Sequence, residues 1–186
     1  MKEFLVEPKG TTYKELLDLA FSICDELLLV KRDQLDLNKN AEEFIEDIKP
    51  YIKEIRKQDE WPGTTLLGHY ANVYYLYCNQ ELKEVLIRKT ERFYQWLSPE
   101  LLEDICFLKN GEVWLATVTH EKIGVLMTED PDEINKLRGR DRRNYHLIKR
   151  AGKLTTIFEK MYQSMQLTPL WGKPSGPSRA TMWRVK

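Results

Sequence analysis

The stretch that decides the fold class is Ile105-Cys106-Phe107-Leu108-Lys109-Asn110-Gly111-Glu112-Val113-Trp114-Leu115-Ala116-Thr117-Val118-Thr119. Within it the apolar residues change from helical spacing to the spacing of a β-strand. The Asn-Gly pair in its middle is the strongest short signal of a β-hairpin. A third apolar run at 123–127 follows the turn residues His120-Glu121-Lys122. The pattern predicts a three-stranded antiparallel meander, which needs a second layer to cover it.

Outside this stretch, apolar residues recur at intervals of three and four, which is typical of amphipathic helices. The spacing predicts helices over about 11–31, 41–55, 65–77 and 81–97, with Pro50 kinking or splitting the second. Asp130-Pro131-Asp132-Glu133 is a helix start, and a longer helix is predicted over 142–166. The predicted fold is therefore α+β, predominantly helical with one small three-stranded antiparallel meander.

The bulk composition is that of a folded protein of one domain, or of one domain with an appendage. The chain has 186 residues, of which 42% are hydrophobic, and three cysteines without a Cys-x-x-Cys pair. We expect these cysteines to be buried free thiols in a reducing compartment. No signal peptide and no run of 18 apolar residues occurs, so we expect a cytoplasmic protein that does not enter a membrane.

Charge divides the chain into two unequal parts, although its formal net charge is zero. Residues 1–133 hold 16 Lys and Arg against 27 Asp and Glu, whereas residues 134–186 hold 13 against 2. We therefore predict an acidic helical body with a β-meander (1–130), basic C-terminal helices packed on that body (131–166), and a flexible tail that contains tryptophan (167–186).

The basic residues of 136–153 are candidates for binding a polyanion, because Lys and Arg neutralise phosphates and pair with carboxylates. Nucleic acid, an acidic protein partner, and the protein's own acidic helices all remain possible occupants. Trp171 and Trp183 make the tail (167–186) a possible docking segment. The candidate partner-binding residues are Lys136, Arg138, Arg140, Arg142, Arg143, His146, Lys149, Arg150, Lys153, Trp171 and Trp183.

An alternative hypothesis is a small hydrolase or nuclease. His69, His120, Glu121, Asp104 and Glu112 could converge for acid–base chemistry if the helix around residue 70 packs on the meander. The competing interpretation is that His69 is a hydrogen-bonded core residue and that His120 lies in a turn. The spacing contains no metal-binding motif and no phosphate-binding glycine loop, so we predict no cofactor and no metal.

Two motifs carry a family resemblance. The first is Glu60-Trp61-Pro62-Gly63-Thr64 followed by Leu66-Leu67-Gly68-His69. The second is Pro99-Glu100 and Glu103-Asp104-Ile105-Cys106-Phe107-Leu108, then Gly111, Trp114-Leu115 and His120-Glu121. In order and spacing they resemble a largely uncharacterised family of small bacterial cytosolic proteins, some labelled as like stage III sporulation protein AH. The resemblance covers about 11–130 and implies a compact domain with a hairpin and no established activity.

Together these observations favour a non-catalytic accessory or regulatory protein whose basic C-terminal surface engages nucleic acid or an acidic protein. A subunit of an immunity or defence complex would fit such a division of charge. Catalysis through His69, His120, Glu121 and Asp104 remains the alternative hypothesis.

Overall fold

Eight strands form one antiparallel sheet, and four α-helices pack on it. The structure is a computed structural model that describes residues 2–4, 6–140 and 147–148, the side chains of 138–140 and 147–148 excepted. In chain order the elements are β1 (Lys2–Phe4), α1 (Thr11–Ile23), β2 (Glu26–Arg32), α2 (Lys39–Ile48), β3 (Ile52–Gln58), β4 (Glu60–Trp61), β5 (Thr64–Thr65), β6 (Ala71–Tyr77), α3 (Gln80–Lys89), β7 (Glu103–Lys109), β8 (Glu112–Val118), β9 (Ile123–Leu126), α4 (Pro131–Arg140) and β10 (Leu147–Ile148).

The strand order of the main sheet is β10-β1-β9-β8-β7-β2-β6-β3, and β4 and β5 form a separate small hairpin. The predicted fold class, predominantly helical with a small meander, is therefore wrong. The three strands of that meander exist as β7, β8 and β9, but they are the middle of a larger sheet. Segments that the apolar spacing assigned to helices supply β2, β3 and β6.

Strand β2 shows why the spacing of apolar residues predicted a helix where the structure has a strand. Leu27, Leu28, Leu29 and Val30 are all fully buried, because β2 lies between β6 and β7 with both of its faces covered. A strand buried on both faces is a continuous apolar run, and such a run fits helical spacing as well as strand spacing. The helix predicted over 11–31 ends at Ile23, and Cys24 already has extended backbone angles.

The second predicted helix ends at its proline. Helix α2 stops at Ile48, a single 3₁₀ turn holds Pro50, and the chain continues as β3 at the edge of the sheet. Proline has no N–H to continue the helical ladder, so Pro50 splits the segment instead of kinking it. Strand β6 is rich in tyrosine, and aromatic side chains favour the pleated surface of a sheet.

One face of the sheet, which we term the helix-covered face, carries all four described helices. Side chains from α1, α2, α3 and α4 form a single apolar cluster with Phe93, Trp96 and the side chains of that face. The Tyr13 hydroxyl at its centre accepts hydrogen bonds from Thr90 Oγ1 (2.8 Å) and Trp96 Nε1 (3.1 Å). The buried donors of Thr90 and Trp96 are thereby satisfied.

The second face, which we term the opposite face, has its own apolar cluster without any residue from a described helix. The β4–β5 hairpin lies over part of it and buries Trp61 completely. The buried members of this cluster are Leu28, Val30, Trp61, Ala71, Val73, Tyr75, Cys106, Leu108, Val113, Ala116, Val118, Ile123 and Val125.

The described residues after 130 agree with the sequence prediction at the start of α4 and differ from it at residues 147–148. Helix α4 begins at Pro131, as predicted, and buries Ile134 and Leu137 against the helix-covered face. Leu147 and Ile148, predicted inside a helix over 142–166, form β10 and pair with β1. The tail (167–186) lies outside the described residues.

Candidate functional site

A polar cluster gathers where β2 ends and β7 begins, on the opposite face. The Nε atom of Arg32 lies 2.8 Å from Oε2 of Glu103, and both side chains are largely buried. The register that aligns Val30 with Glu103 brings these residues together although about seventy residues separate them in the chain. Sequence reasoning missed both residues; the available signal was a charged pair, Glu103-Asp104, within an apolar run.

His120 completes this cluster from the 3₁₀ turn after β8. An Nη2 atom of Arg32 lies 3.2 Å from His120 Nδ1, and Nε2 lies 3.8 Å from a carboxylate oxygen of Glu121. A guanidinium can only donate, so this contact requires an unprotonated Nδ1 and places the imidazole proton on Nε2. The side chains of the predicted residues His120 and Glu121 therefore lie side by side, and both are partly exposed.

The carboxyl group of Glu103 is held differently from a surface acid. Burial raises its pKa above the ordinary value, and the nearby Arg32 guanidinium offsets only part of that effect. The Arg32 guanidinium also lies 5.7 Å from the centre of the Trp61 ring, so the cation contacts an aromatic face as well as a carboxylate.

Three hydrogen bonds hold the Asp104 carboxylate on the opposite face. Its Oδ2 accepts from Trp61 Nε1 (2.8 Å) and Thr64 Oγ1 (3.4 Å), and its Oδ1 accepts from the Thr119 backbone N–H (2.8 Å). The residue is fully buried, with a backbone φ of 53°. Both carboxylate oxygens are committed to structure, so this side chain ties the β4–β5 hairpin to the sheet.

The remaining acid–base candidates lie elsewhere. His69 is exposed in the loop between β5 and β6, and among the described residues it has no hydrogen bond or ion pair with His120, Glu121 or Asp104. Glu112 lies at the β7–β8 turn, paired with Lys109 at the opposite end of the hairpin from Glu103. The structure thus places His120 and Glu121 directly after Thr119, whose backbone N–H binds Asp104, whereas His69 and Glu112 lie elsewhere.

The three cysteines are free thiols, as the sequence predicted. Cys24 and Cys106 are buried as expected, whereas Cys78 is only partly buried. Burial raises the pKa of Cys78 to about 12 and raises those of Cys24 and Cys106 further. A thiol is nucleophilic as its thiolate, so none of these side chains is in a setting that activates it. In residues 2–140, apart from residue 5, no three His, Cys, Asp or Glu side chains are grouped to hold a metal ion.

An open cleft of about 470 Å³ lies beside the β7–β8 turn, next to the first turn of α4. At its edge the Glu133 carboxylate accepts from Lys109 Nζ and Trp114 Nε1, both at 2.7 Å. Burial opposes ionisation of Glu133, but the hydrogen bonds from Lys109, Thr128 and Trp114 outweigh it and lower its pKa. The cleft is lined by Lys109, Asn110, Glu112, Val113, Trp114, Met127, Thr128 and Glu129.

The predicted partner-binding residues lie mostly beyond the described side chains. Lys136 is exposed on α4, and Arg138 and Arg140 lie on the same helix with only their backbone described. Outside the described residues are Arg142, Arg143, His146, Lys149, Arg150, Lys153, Trp171 and Trp183.

Several lysines of the body form ion pairs with carboxylates of the same body. Within the described residues, ion pairs join Lys83 to Asp18 (2.7 Å), Lys57 to Asp33 (2.9 Å) and Lys89 to Asp47 (3.3 Å). Carboxylates of residues 1–133 therefore neutralise these three lysines. The 11 excess acids of residues 1–133 are additional to these pairs.

Comparison with known proteins gives no match for this chain: no family model, no curated protein and no solved structure is significantly similar to it. None of the described helices is both long and apolar enough to cross a membrane.

Proposed function

We propose that this protein is a non-catalytic accessory or regulatory binding protein of the cytoplasm, and that its basic C-terminal third engages a polyanion. The observation that carries the proposal is the division of charge at residue 134, from 11 excess acids to 11 excess bases. Eight of the bases fall within 136–153, against the single acid Asp141. Such a density of Lys and Arg is typical of surfaces that bind phosphates or carboxylates.

The body supports this division of roles. Its buried carboxylates Glu26, Glu103 and Asp104 are used internally, by Lys53, by Arg32 and by Trp61 with Thr119. An acidic body repels a polyanion, so binding is confined to the basic third and has a defined orientation. The bound polyanion is nucleic acid or an acidic protein, and a subunit of an immunity or defence complex would have these properties.

The decisive experiment measures binding to duplex DNA, single-stranded RNA and polyglutamate at several salt concentrations. For a nucleic-acid partner, the logarithm of the affinity falls linearly with the logarithm of the salt concentration. Replacing Arg142, Arg143 and Lys149 by Gln reduces that slope by about 2.7 if all three contact phosphates of duplex DNA. The matched control replaces three exposed body residues, Lys9, Lys14 and Lys39, by Gln and leaves the slope nearly unchanged.

Tight binding to polyglutamate with weak binding to both nucleic acids identifies an acidic protein as the partner class. Undetectable binding to all three polymers at low salt contradicts the proposal. Equal losses in the basic-segment variant and in the body control also contradict it, because binding would then reflect total charge.

A hydrolase or nuclease is the second candidate, and the Arg32–Glu103–His120 cluster favours it. The partly exposed His120 can transfer a proton, and the neighbouring Arg32 guanidinium, held by the buried Glu103 carboxylate, can stabilise a phosphate. If this cluster is catalytic, replacing His120 by Ala abolishes hydrolysis of a nucleic-acid or phosphodiester substrate, whereas replacing the exposed His69 by Ala does not. Absence of hydrolysis by the unmodified protein rejects the second candidate.

A further inference from the structure

Strand β3 (Ile52–Gln58) is the last strand in the described order of the main sheet, and β6 is its only described neighbour. One edge of β3 therefore faces no described strand. The backbone N–H and C=O groups along such an edge are a template on which another extended strand can pair. The side chains of β3 alternate, with Lys53, Ile55 and Lys57 exposed and the residues between them partly buried.

The sequence of β3 is complementary to itself. The run Lys53-Glu54-Ile55-Arg56-Lys57 has an apolar residue at its centre, an acid on one side of it, a base on the other and a lysine at each end. When two copies of one strand pair antiparallel about a two-fold axis, residue i of each copy lies opposite residue j of the other. Pairing centred on Ile55 therefore places each Glu54 opposite an Arg56, and Ile55 opposite Ile55.

We propose that β3 is a dimer interface, at which two copies of this chain pair β3 with β3 antiparallel about a two-fold axis at Ile55. The main sheets of the two copies then continue into one another through this edge. An interface of one strand pair is small, so the dimer dissociates on dilution. The pairing uses no residue of 136–153, so it goes beyond the proposed function and does not depend on it.

Ile55 is the apolar centre of this interface. Its side chain is 50% exposed, although Tyr74, which lies opposite it on β6, is 7% exposed. Side chains directly opposite each other on antiparallel strands have Cβ atoms about 4.5–5.5 Å apart, so the two isoleucines contact each other in the dimer. This contact removes apolar surface from water, which is the main favourable term in most protein association.

The charges beside Ile55 match across the two-fold axis. Within one copy, Arg56 Nε donates to Glu54 Oε2 at 2.8 Å, so both side chains lie on the same face of the sheet. In the dimer each Arg56 also lies opposite the Glu54 of the second copy. The four side chains form a network without net charge, and opposite charges directly across two strands stabilise their pairing.

Lysines at an edge and an irregular register normally guard a strand against such pairing. In the proposed dimer, Lys53 of one copy lies opposite Lys57 of the other. Each lysine is already paired with an acid of its own copy, Lys53 with Glu26 and Lys57 with Asp33, so this like-charge contact is neutralised. The irregularity in the register of β3 with β6 lies at the Lys53 end, and the centre of the strand is regular.

The first test measures the association state of the full chain by sedimentation velocity over about a hundredfold range of protein concentration. We expect the unmodified protein to change from monomer to dimer within this range. Ile55→Lys places two like charges directly opposite each other at the axis, so we expect it to weaken dimerisation at least about tenfold. Because Ile55 is half exposed, the variant should stay folded, which its unfolding transition in urea checks.

Two charge reversals test the register. Glu54→Arg places bases opposite each other across the axis, and Arg56→Glu places acids opposite each other, so each variant alone should remain monomeric where the unmodified protein is a dimer. Mixed in equal amounts, the two variants should form a heterodimer, because each base then faces an acid. The double variant with both changes should dimerise with itself. Glu46→Arg, an equal change of charge at an exposed position of α2, is the control and should dimerise normally.

A monomer at every concentration of the unmodified protein would overturn the inference. A dimer that persists in Ile55→Lys and in both single charge reversals would also overturn it, because another surface would then hold the dimer. The proposed register is wrong if the two reversed variants do not associate when mixed. If a single reversal prevents folding, the double variant decides the question, and a monomeric double variant overturns the inference.

Discussion

The helix-covered face and the opposite face of the sheet are both buried, but different interactions hold their surroundings in place. On the helix-covered face, helices pack through a large apolar cluster, and the Tyr13 hydroxyl satisfies two buried donors. On the opposite face, buried carboxylates fasten loops to strand ends, as Asp104 does for Trp61 and Thr119. Apolar packing spreads its stability over many contacts, whereas a buried carboxylate concentrates it in a few hydrogen bonds.

The largest effect should come from Asp104. Replacing it by Ala leaves the Trp61 indole N–H and the Thr119 backbone N–H buried without an acceptor. It also puts Ala in a left-handed conformation that Asp tolerates better. We expect the free energy of unfolding to fall by about 3 kcal/mol, measured by urea denaturation.

Asp104→Asn is the matched control, because it keeps the shape and an acceptor oxygen for Trp61. It should cost clearly less than Asp104→Ala. A loss below about 1 kcal/mol for Asp104→Ala would show that the hairpin is held mainly by the apolar contacts of Trp61.

On the helix-covered face, replacing Tyr13 by Phe removes the acceptor for Thr90 and Trp96 while keeping the ring. Two buried donors lose their partner, so we expect a loss of about 2 kcal/mol in the free energy of unfolding. Tyr70→Phe is the control, because the Tyr70 side chain is half exposed and should respond by less than about 0.5 kcal/mol. Equal effects of the two variants would contradict the assigned role of Tyr13.

The two faces should also respond oppositely to pH. Glu103 has a raised pKa in the folded protein, so its contribution to stability is present below the ordinary glutamate value and is lost as pH rises through the folded value. Glu133 has a lowered pKa, so its contribution is present above the ordinary value and is lost as pH falls. We expect the stability of the unmodified protein relative to Glu103→Gln to decrease from pH 4 to 7, and relative to Glu133→Gln to increase.

Urea denaturation at several pH values between 4 and 7 measures both differences, with the unmodified protein as the common reference. The same sign for both variants would mean that one of the two carboxyl groups is not held as described.

The smallest effect should come from the exposed edge strand β3. Lys57 pairs with Asp33 at 2.9 Å, but most of the Lys57 side chain is in water. Exposed ion pairs contribute little, so Lys57→Ala should change the free energy of unfolding by less than about 0.5 kcal/mol. A loss above about 1 kcal/mol would show that this edge is coupled to the core. The measurement is again urea denaturation, at low and at high salt.

The parts of the fold that local sequence determines were predictable. The Asn110-Gly111 turn specifies the hairpin of β7 and β8, and Asp130-Pro131 specifies the start of α4. Strand β2 was not predictable from spacing, because its four consecutive buried apolar residues satisfy a helical pattern equally well. Neighbours from β6 and β7, distant in sequence, decide between the two.

The candidate site follows the same rule. His120 and Glu121 are adjacent in sequence, and local reasoning placed them together. Arg32 and Glu103 meet only because β2 pairs with β7, and no short motif contains that register. The burial of Asp104, which commits it to structure, likewise depends on Trp61 arriving from another part of the chain.

The position of β2 has a consequence for synthesis on the ribosome. This strand leaves the ribosome early but pairs with β7, which begins 71 residues after β2 ends. At about 5–20 residues per second, its four-residue apolar run waits roughly 4–14 s for that neighbour. During this interval the nascent chain offers an apolar segment to which chaperones can bind, so ribosome-associated chaperones should protect this protein most strongly before residue 103 has been translated.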